Sequence, residues 1–351
     1  MMDYQTAVRG AFFDIAGVAE TPDEVAAQAR YLDDGLLFLQ EGKIIALLPW
    51  HEGETEGEAF LHPLKGYVDL RGKLLLPGFV DAHVHYPQTE MIGAFGEQLL
   101  EWLTTYTFPV ESQFADADYA QEIAQFFVNQ LISHGTTTAL VFCTLHPASA
   151  EALFSEALRL NMRLIAGKVM MDRHVPDYLC ETAGESYEQT RELILRWHQR
   201  GRLGYAITPR FAPTSTPALL EAVQRLRTEF PDTWLQTHLS ENREEIAWVK
   251  QLWPEHARYL DVYHHYQLTG ERSVFAHGIH LDDAEWQCLH DTGSAVAFCP
   301  TSNLFLGSGL FRLPACWQHQ VRMGIGSDVG AGTTALAPPS ACCGRWARPT
   351  R

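Results

Sequence analysis

From Leu74 onward, this 351-residue chain alternates short β-rich runs with helical segments, and this alternation constrains its fold most. The β-rich runs read, in chain order, LPGFVDAHVH, TTTALVFCT, RLIAGKVMM, RLGYAITPR, WLQTHLS, SVFAHG, SAVAFCP and RMGIGSD. Eight parallel strands joined by right-handed helical crossovers close into a barrel. The sequence therefore predicts an α/β fold, a (β/α)8 TIM-like barrel over residues 75–334.

One helical segment, DYAQEIAQFFVNQLISHG, shows the spacing of an amphipathic helix most clearly. The apolar side chains expected near one face of this helix are Tyr119, Ile123, Phe126, Phe127 and Leu131. Gly135 is the expected stop signal at its end.

The two ends of the chain differ in composition from the barrel. Residues 1–74 contain apolar pieces divided by glycines and charged turns, which predicts a small N-terminal β-sandwich module. Residues 335–351 read ALAPPSACCGRWARPTR and have no helical period where the eighth barrel helix should begin. We expect this tail to be anomalous, through truncation or a frameshift, so that the barrel's last helix and the C-terminal strands of the sandwich are missing. A natural short tail is the alternative.

Charge and cysteine usage narrow the functional class. A net charge of −17 disfavours nucleic acid and anionic membranes as partners. The absence of a long apolar run and of a recognisable signal peptide predicts a cytoplasmic protein. Scattered cysteines without a C-x-x-C pair predict reduced thiols. We expect the first five to be buried and structural: Cys143, Cys180, Cys288, Cys299 and Cys316.

Histidines and an aspartate stand at the ends of the predicted barrel strands. His83 and His85 are two residues apart, so they share one face of a strand and can bind one zinc ion. This pair alone is a weak signal, but His238, His277 and Asp328 also close predicted strands, where barrels place their catalytic residues. Taken singly, each histidine could instead be a core residue, and Asp328 could be a helix N-cap.

Glu241 follows His238 by three residues, in the loop leaving its strand. It can approach a metal-activated water without binding the metal, and move protons there. A glutamate favoured by the dipole in a first helical turn is the alternative, and both can hold.

Four segments, PGFVDAHVH, QTHLSE, FAHG and GSD, match in order the metal motifs of the amidohydrolase superfamily, and the resemblance spans about residues 65–334. Other segments make the chain similar to the guanine deaminase branch of that superfamily. They are HYPQTEMIGAFGEQLLEWLTTYTFPVE, ITPRFAPTS, QTHLSEN, CPTSNLFLGSGLF and GSDVGAGT.

The resemblance implies one zinc ion per chain. Its ligands would be His83, His85, His238 and Asp328. It also implies that Lys168 is not a carbamylated metal bridge, because a single-metal deaminase needs none. A partly buried lysine with a local carboxylate partner is preferred.

The resemblance further implies hydrolytic deamination of guanine to xanthine and ammonia. The catalytic residues would be Glu241, His277 and Asp328. The substrate would be held by His85, Gln88, Trp102, Arg210, Phe211, His238 and Glu241. Asp328 would take a proton from water, Glu241 would protonate ring N3, and His277 would orient the nucleophile. For Trp102, plain barrel packing is an equal alternative.

Two other functions stay open at this point. One is another amidohydrolase that acts on a different aminated ring or a halogenated triazine. The other is an inactive, metal-binding fragment. The family commonly forms homodimers, so a second copy of the chain is an expected partner.

Overall fold

The computed structural model describes residues 5–17, 22–50, 66–94 and 98–332. The predicted anomalous tail at 335–351 lies outside these residues. The described residues divide into two compact units, one up to Pro77 and the other from Gly78, whereas the sequence placed the boundary between residues 74 and 75.

The N-terminal unit is a four-stranded sheet with one short helix. Its strands are β1 (Thr6–Ile15), β2 (Ala29–Gln40), β3 (Lys43–Pro49) and β4 (Tyr67–Leu75), and its helix is α1 (Pro22–Gln28). The strand order is β3-β2-β1-β4, with β1 antiparallel to β2 and parallel to β4. The predicted β module is confirmed as this sheet; a second layer is not found among the described residues.

The second unit is the predicted parallel barrel. Its strands are β5 (Phe79–His85), β6 (Thr136–Phe142), β7 (Arg163–Gly167), β8 (Val169–Met170), β9 (Leu203–Pro209), β10 (Trp234–Leu239), β11 (Ser273–His277), β12 (Ala295–Phe298) and β13 (Arg322–Ile325). They pair in chain order from β5 to β13, and the two-residue β8 adds to β9. The third predicted strand is thus divided at Lys168. The ring closes where the Asp328 amide donates to the His83 carbonyl at 2.9 Å.

Helices connect the strands. They are α2 (Leu99–Trp102), α3 (Phe108–Ser112), α4 (Ala117–Ser133), α5 (Pro147–Arg159), α6 (Ala183–Trp197), α7 (Pro217–Glu229), α8 (Arg243–Leu252), α9 (Tyr259–His265), α10 (Asp283–Asp291), α11 (Pro300–Phe305) and α12 (Leu313–Gln318). A π-helical turn, Leu103–Thr107, joins α2 to α3. No helix in the described parts of the chain is long and apolar enough to cross a membrane.

Helix α4 confirms most of its predicted face but corrects one residue. Ile123, Phe127 and Leu131 are buried, whereas Phe126 is 53% exposed. Successive helical residues are about 100° apart, so Phe126 cannot share the face that its neighbour Phe127 buries. Gly135 follows the helix with φ +83°, the left-handed conformation that ends helices.

The cysteine prediction is wrong at two positions. Cys143, Cys299 and Cys316 are buried, but Cys180 is exposed and Cys288 is half-buried. Cys180 lies in the loop after a 3-10 turn, and Cys288 lies on α10 beside the positions that face the core.

Candidate active site

Three imidazoles and one carboxylate converge at the carboxyl ends of three barrel strands. His83 and His85 lie on β5, His238 lies on β10, and Asp328 follows β13. His85 Nε2 is 3.2 Å from His83 Nε2 and 3.1 Å from His238 Nε2. Asp328 Oδ1 is 3.2 Å from His83 Nε2 and 3.5 Å from His85 Nε2. These side chains therefore lie together in one cluster, as the sequence predicts.

Burial keeps the imidazoles of this cluster neutral. Desolvation, followed by repulsion from neighbouring cationic groups, holds the pKa of His85 and of His238 well below the usual value. Burial also lowers the pKa of His83. Burial alone would raise the pKa of Asp328, but nearby imidazoles, above all His83, lower it to about 2. The cluster therefore presents neutral nitrogens and one carboxylate, the protonation states that bind metals.

Two neighbouring groups orient these side chains. His238 Nδ1 lies 2.7 Å from the Arg210 carbonyl oxygen. Because a carbonyl only accepts, Nδ1 carries the proton and Nε2 keeps its lone pair for the cluster. Asp81 Oδ1 accepts from the amides of His83, at 3.2 Å, and Ser327, at 3.0 Å. Asp81 thus ties β5 to the chain that carries Asp328.

His277 and Glu241 form a second pair beside the cluster. His277 Nε2 lies 3.3 Å from Glu241 Oε2 and 3.9 Å from Asp328 Oδ2. Burial raises the pKa of Glu241 to about 7, although His277 opposes the rise. Burial opposes a charge on His277, but Glu241 and Asp328 outweigh it and raise the pKa of His277. A carboxyl group with a pKa near neutrality can both give and take a proton.

Glu241 precedes helix α8 and does not belong to its first turn. The N-cap of α8 is Asn242, and the first-turn acids are Glu244 and Glu245. The alternative interpretation of Glu241 as a first-turn glutamate is therefore wrong. Its backbone neighbour Ser240 has φ +50°, which turns the chain sharply after β10.

The backbone is strained at two of these residues. His277 has φ +71° and Asp328 has φ +47°, in the left-handed region that costs non-glycine residues about 1–3 kcal/mol. Each lies where a strand end turns. Such strain persists only where the surrounding structure fixes the conformation, and it commonly marks functional sites.

A pocket opens over this cluster. The predicted site residues that line it are His85, Gln88, Trp102, Arg210, Phe211, His238, Glu241, His277 and Asp328. The fourth predicted ligand, His83, is buried but is not part of the lining. Leu99, Leu103 and Leu306 add an apolar wall. The structure thus brings the residues predicted for substrate and three of the four predicted metal ligands to one pocket, and His83 contacts the lining residue His85 at 3.2 Å.

The amidohydrolase family matches residues 74–348 of the chain, which include the whole described barrel. The chain belongs to the amidohydrolase family. Members of this family depend on metal ions for activity.

Close relatives narrow the position within the amidohydrolase family. The guanine deaminase of Escherichia coli (strain K12) is 56% identical over 331 residues, which are 93% of this chain and 74% of that protein. The probable guanine deaminase of Deinococcus radiodurans is 45% identical over 265 residues, 76% of this chain and 60% of that protein. The chain therefore lies in the guanine deaminase branch of the family and spans about three fifths to three quarters of these relatives' length.

Solved structures also place the chain beside guanine deaminases. That of E. coli guanine deaminase matches with a TM-score of 0.90, over 94% of this chain and 75% of that chain. A guanine deaminase from C. acetobutylicum, solved with guanine bound in its active site, is 30% identical. Its TM-score is 0.86, over 94% of this chain and 76% of that chain.

The amidohydrolase donor set fits a divalent metal ion. The nitrogen atoms of His83 and His238 both crowd the Nε2 of His85, which cannot hydrogen-bond to both as a neutral group with one proton. A tetrahedral ion with ligand distances of about 2.0–2.1 Å has ligand–ligand separations of about 3.3 Å. Four of the six separations among His83, His85, His238 and Asp328 are 3.1–3.5 Å, which is close to that value. The donor nitrogens of the three histidines lie within 4.8 Å of one another, whereas Asp328 does not lie within that range of all three. The three histidines could therefore hold one such ion, with Asp328 beside them.

Sequence reasoning missed several residues that support this site. Glu111 is fully buried and pairs with Arg210. Asn303 Oδ1 lies 3.0 Å from His277 Nδ1, and Ser308 Oγ donates to Glu241 Oε1 at 3.2 Å. These residues lie in the segments EWLTTYTFPVE and CPTSNLFLGSGLF, and nothing in the composition of either segment indicates which side chains point inward.

Lys168, the residue that divides the third strand, is fully buried rather than partly buried. Its Nζ donates to both carboxylate oxygens of Glu181, at 2.5 and 2.8 Å. The predicted carboxylate partner is thus confirmed. The ammonium group is bound to Glu181 and does not line the pocket described above.

Proposed function

We propose that this chain catalyses the hydrolytic deamination of guanine to xanthine and ammonia with one zinc ion held by His83, His85, His238 and Asp328. The observation that carries the proposal is a single pocket with two kinds of wall. One part consists of the histidine–aspartate cluster and Glu241, and another consists of Gln88, Arg210 and apolar side chains.

Arg210 and Gln88 supply the polar contacts that a purine requires. Two N–H groups of Arg210 are used by Glu111, at 2.8 and 3.1 Å, and a guanidinium has five. The others remain for a carbonyl oxygen such as that of guanine. Phe211 and Trp102 are 4% and 2% exposed, which makes them rigid walls for a flat ring.

Zinc, when bound, supplies a Lewis acid that makes a water molecule an effective nucleophile at neutral pH. Asp328, whose pKa is about 2 in this site, is a carboxylate that can accept a proton from that water. Glu241, with its pKa raised to about 7 by burial, can carry a proton to ring N3 and then to the departing amine. His277, held by Asn303, can orient the attacking water.

The relatives support the substrate. The chain's likeness to E. coli guanine deaminase extends through the whole described barrel, and the C. acetobutylicum structure has guanine in its active site. Imidazole-rich sites with one carboxylate favour zinc over the harder alkaline-earth ions, whose ligands are oxygen atoms.

The experiment is a substrate panel with zinc-loaded protein and ammonia detection. We expect turnover of guanine to xanthine and far slower turnover of adenine and cytosine. A chlorinated triazine, assayed for chloride release, tests the other amidohydrolase chemistry. Faster turnover of any of these compounds than of guanine would overturn the proposal, and so would complete inactivity of protein that contains one zinc ion per chain.

A further inference from the structure

We infer that Glu111 is a positioning residue which fixes Gln88 as a hydrogen-bond acceptor and Arg210 as a donor. The pair then selects rings that place an N–H group beside a carbonyl oxygen. This inference rests on the proposed function, since it specifies how the same pocket reads its substrate.

The first step is the pairing of Glu111 with Arg210. Arg210 Nη1 donates to Glu111 Oε2 at 2.8 Å, and Nη2 donates to Oε1 at 3.1 Å. Both side chains are buried, at 0% and 2% exposure. A two-point pair of this kind fixes the plane of the guanidinium. The guanidinium also lies 5.5 Å from the ring centre of Phe108, the first residue of helix α3.

The second step is the orientation of the Gln88 amide. Gln88 Nε2 donates to Glu111 Oε1 at 3.3 Å. A carboxylate beside a guanidinium accepts only, so the group that faces it must be the NH2 of Gln88. The amide oxygen is thereby directed away from Glu111. Oε1 of Gln88 is buried and has no hydrogen-bond partner among the described residues.

The third step is that the chain leaves room for this orientation. Gly330 faces Gln88, and a Cβ atom at Gly330 would collide with both Cβ and Oε1 of Gln88. Gln88 and Arg210 both line the pocket. An unsatisfied buried acceptor costs about 1–3 kcal/mol, which a ligand N–H can remove.

The chemical consequence is selection for a lactam. Guanine and hypoxanthine carry N1–H next to a C6 carbonyl, so they can donate to Gln88 and accept from Arg210. Purine and 2-aminopurine lack both groups, and adenine has an acceptor at N1. 2-Aminopurine retains the amino group that is removed from guanine, so it separates recognition from chemistry.

The test compares binding of hypoxanthine and purine to zinc-loaded protein by calorimetry. Neither ligand has a 2-amino group, so binding is read without turnover. We expect the wild type to prefer hypoxanthine, and we expect Glu111→Gln to reduce that preference on the order of 10- to 100-fold, since Gln88 is then free to rotate. The zinc content should stay at that of the wild type.

A matched control exists on helix α5. Glu156 is buried and also forms a two-point pair, in which Nε and Nη2 of Arg159 donate at 2.8 and 2.6 Å, but neither residue lines the pocket. Glu156→Gln should leave the hypoxanthine preference unchanged. An unchanged preference in Glu111→Gln as well would overturn the inference.

A second variant guards against misfolding of the first. Gln88→Met keeps the Glu111–Arg210 pair but removes the amide, so it should lose the same preference for hypoxanthine. Retention of that preference would overturn the inference.

Measurements of deamination distinguish this inference from the proposed function. If the wild type deaminates guanine but Glu111→Gln keeps a wild-type ratio of guanine to 2-aminopurine turnover, only the inference fails. If zinc-loaded protein prefers hypoxanthine but cannot deaminate guanine, only the proposed function fails.

Discussion

Single residues in this protein take their chemical character from burial combined with a specific neighbour. Glu241 is the clearest case, because desolvation raises its pKa to about 7 while His277 lies 3.3 Å away. Its carboxyl group can therefore change protonation state without a large free-energy difference near neutral pH. Asp328 experiences the opposite balance, and its pKa falls to about 2. Two buried carboxyl groups beside one histidine thus differ in their resting protonation.

From this difference we predict the effect of Glu241→Gln. Glutamine preserves the size of the side chain but cannot transfer a proton, so guanine turnover should fall about 10²- to 10⁴-fold. Zinc binding should be retained, because the residues proposed to hold the metal are unchanged. Ammonia release gives the rate, and atomic absorption gives the zinc content.

The control for this variant is Glu244→Gln. Glu244 is an exposed residue in the first turn of α8, three residues from Glu241, and does not line the pocket. It should have wild-type turnover. Full activity of Glu241→Gln would remove Glu241 from proton transfer.

At the scale of secondary-structure elements, the turns after the strands position the chemistry. The turn after β13 carries both Asp328 and Gly330, and Gly330 has φ +98°. An alanine there would meet two penalties, the left-handed backbone and a collision with Gln88. We predict that Gly330→Ala lowers the free energy of unfolding by at least about 1–2 kcal/mol and weakens hypoxanthine binding. Chemical denaturation and calorimetry measure the two effects.

Gly42 offers the matched control for this substitution. It has φ +73° in the turn between β2 and β3, and a Cβ atom there would meet nothing within 4 Å. Gly42→Ala should therefore show only the backbone penalty and leave ligand binding unchanged. Equal binding by Gly330→Ala and the wild type would contradict the role assigned to the close approach.

The elements also show what the sequence could predict. Strands have a two-residue period, and barrel strands deliver side chains at their carboxyl ends, so the meeting of His83, His85 and His238 followed from position alone. The insert that carries Glu111 has no such rule. It runs through a helical turn, a π-helical turn and another helical turn, so its inward face cannot be deduced from one period. Arg210, the partner of Glu111, is 99 residues away.

On the scale of the whole molecule, the cluster joins the first barrel strand to the last. Asp81 and Ser327 are 246 residues apart, yet the Ser327 amide donates to Asp81 at 3.0 Å. No β-ladder pairs β5 with β13 in the described residues, so these contacts close the ring. The metal site proposed here lies at the same closure. An ion bound there would connect β5, β10 and β13 in addition to the hydrogen bonds.

Because the proposed metal site lies where the barrel ring closes, removal of the metal should destabilise the folded chain. An ion that binds only the folded chain stabilises it by about 2.7 kcal/mol at one hundred times its dissociation constant. With an unfolding entropy of about 2.1 cal/mol/K per residue, each kcal/mol shifts the midpoint of thermal unfolding of a chain of this length by about 1–2 °C. Chelation should therefore lower the midpoint by about 3–5 °C, and added zinc should restore it. Scanning calorimetry before and after dialysis against a chelator measures the shift.

The variant His83→Ala tests whether the shift arises at this cluster. His83 is a proposed ligand, so its removal should abolish the response to zinc. Because His83 is buried and does not line the substrate pocket, the pocket-lining side chains should stay in place. Gln88→Met, which alters the pocket without touching a proposed ligand, should respond to zinc as the wild type does. A zinc-dependent shift that survives in His83→Ala would assign the stabilising ion to another part of the molecule. Because the barrel ring and the cluster close at the same strands, loss of the ion should destabilise the barrel as a unit rather than one loop.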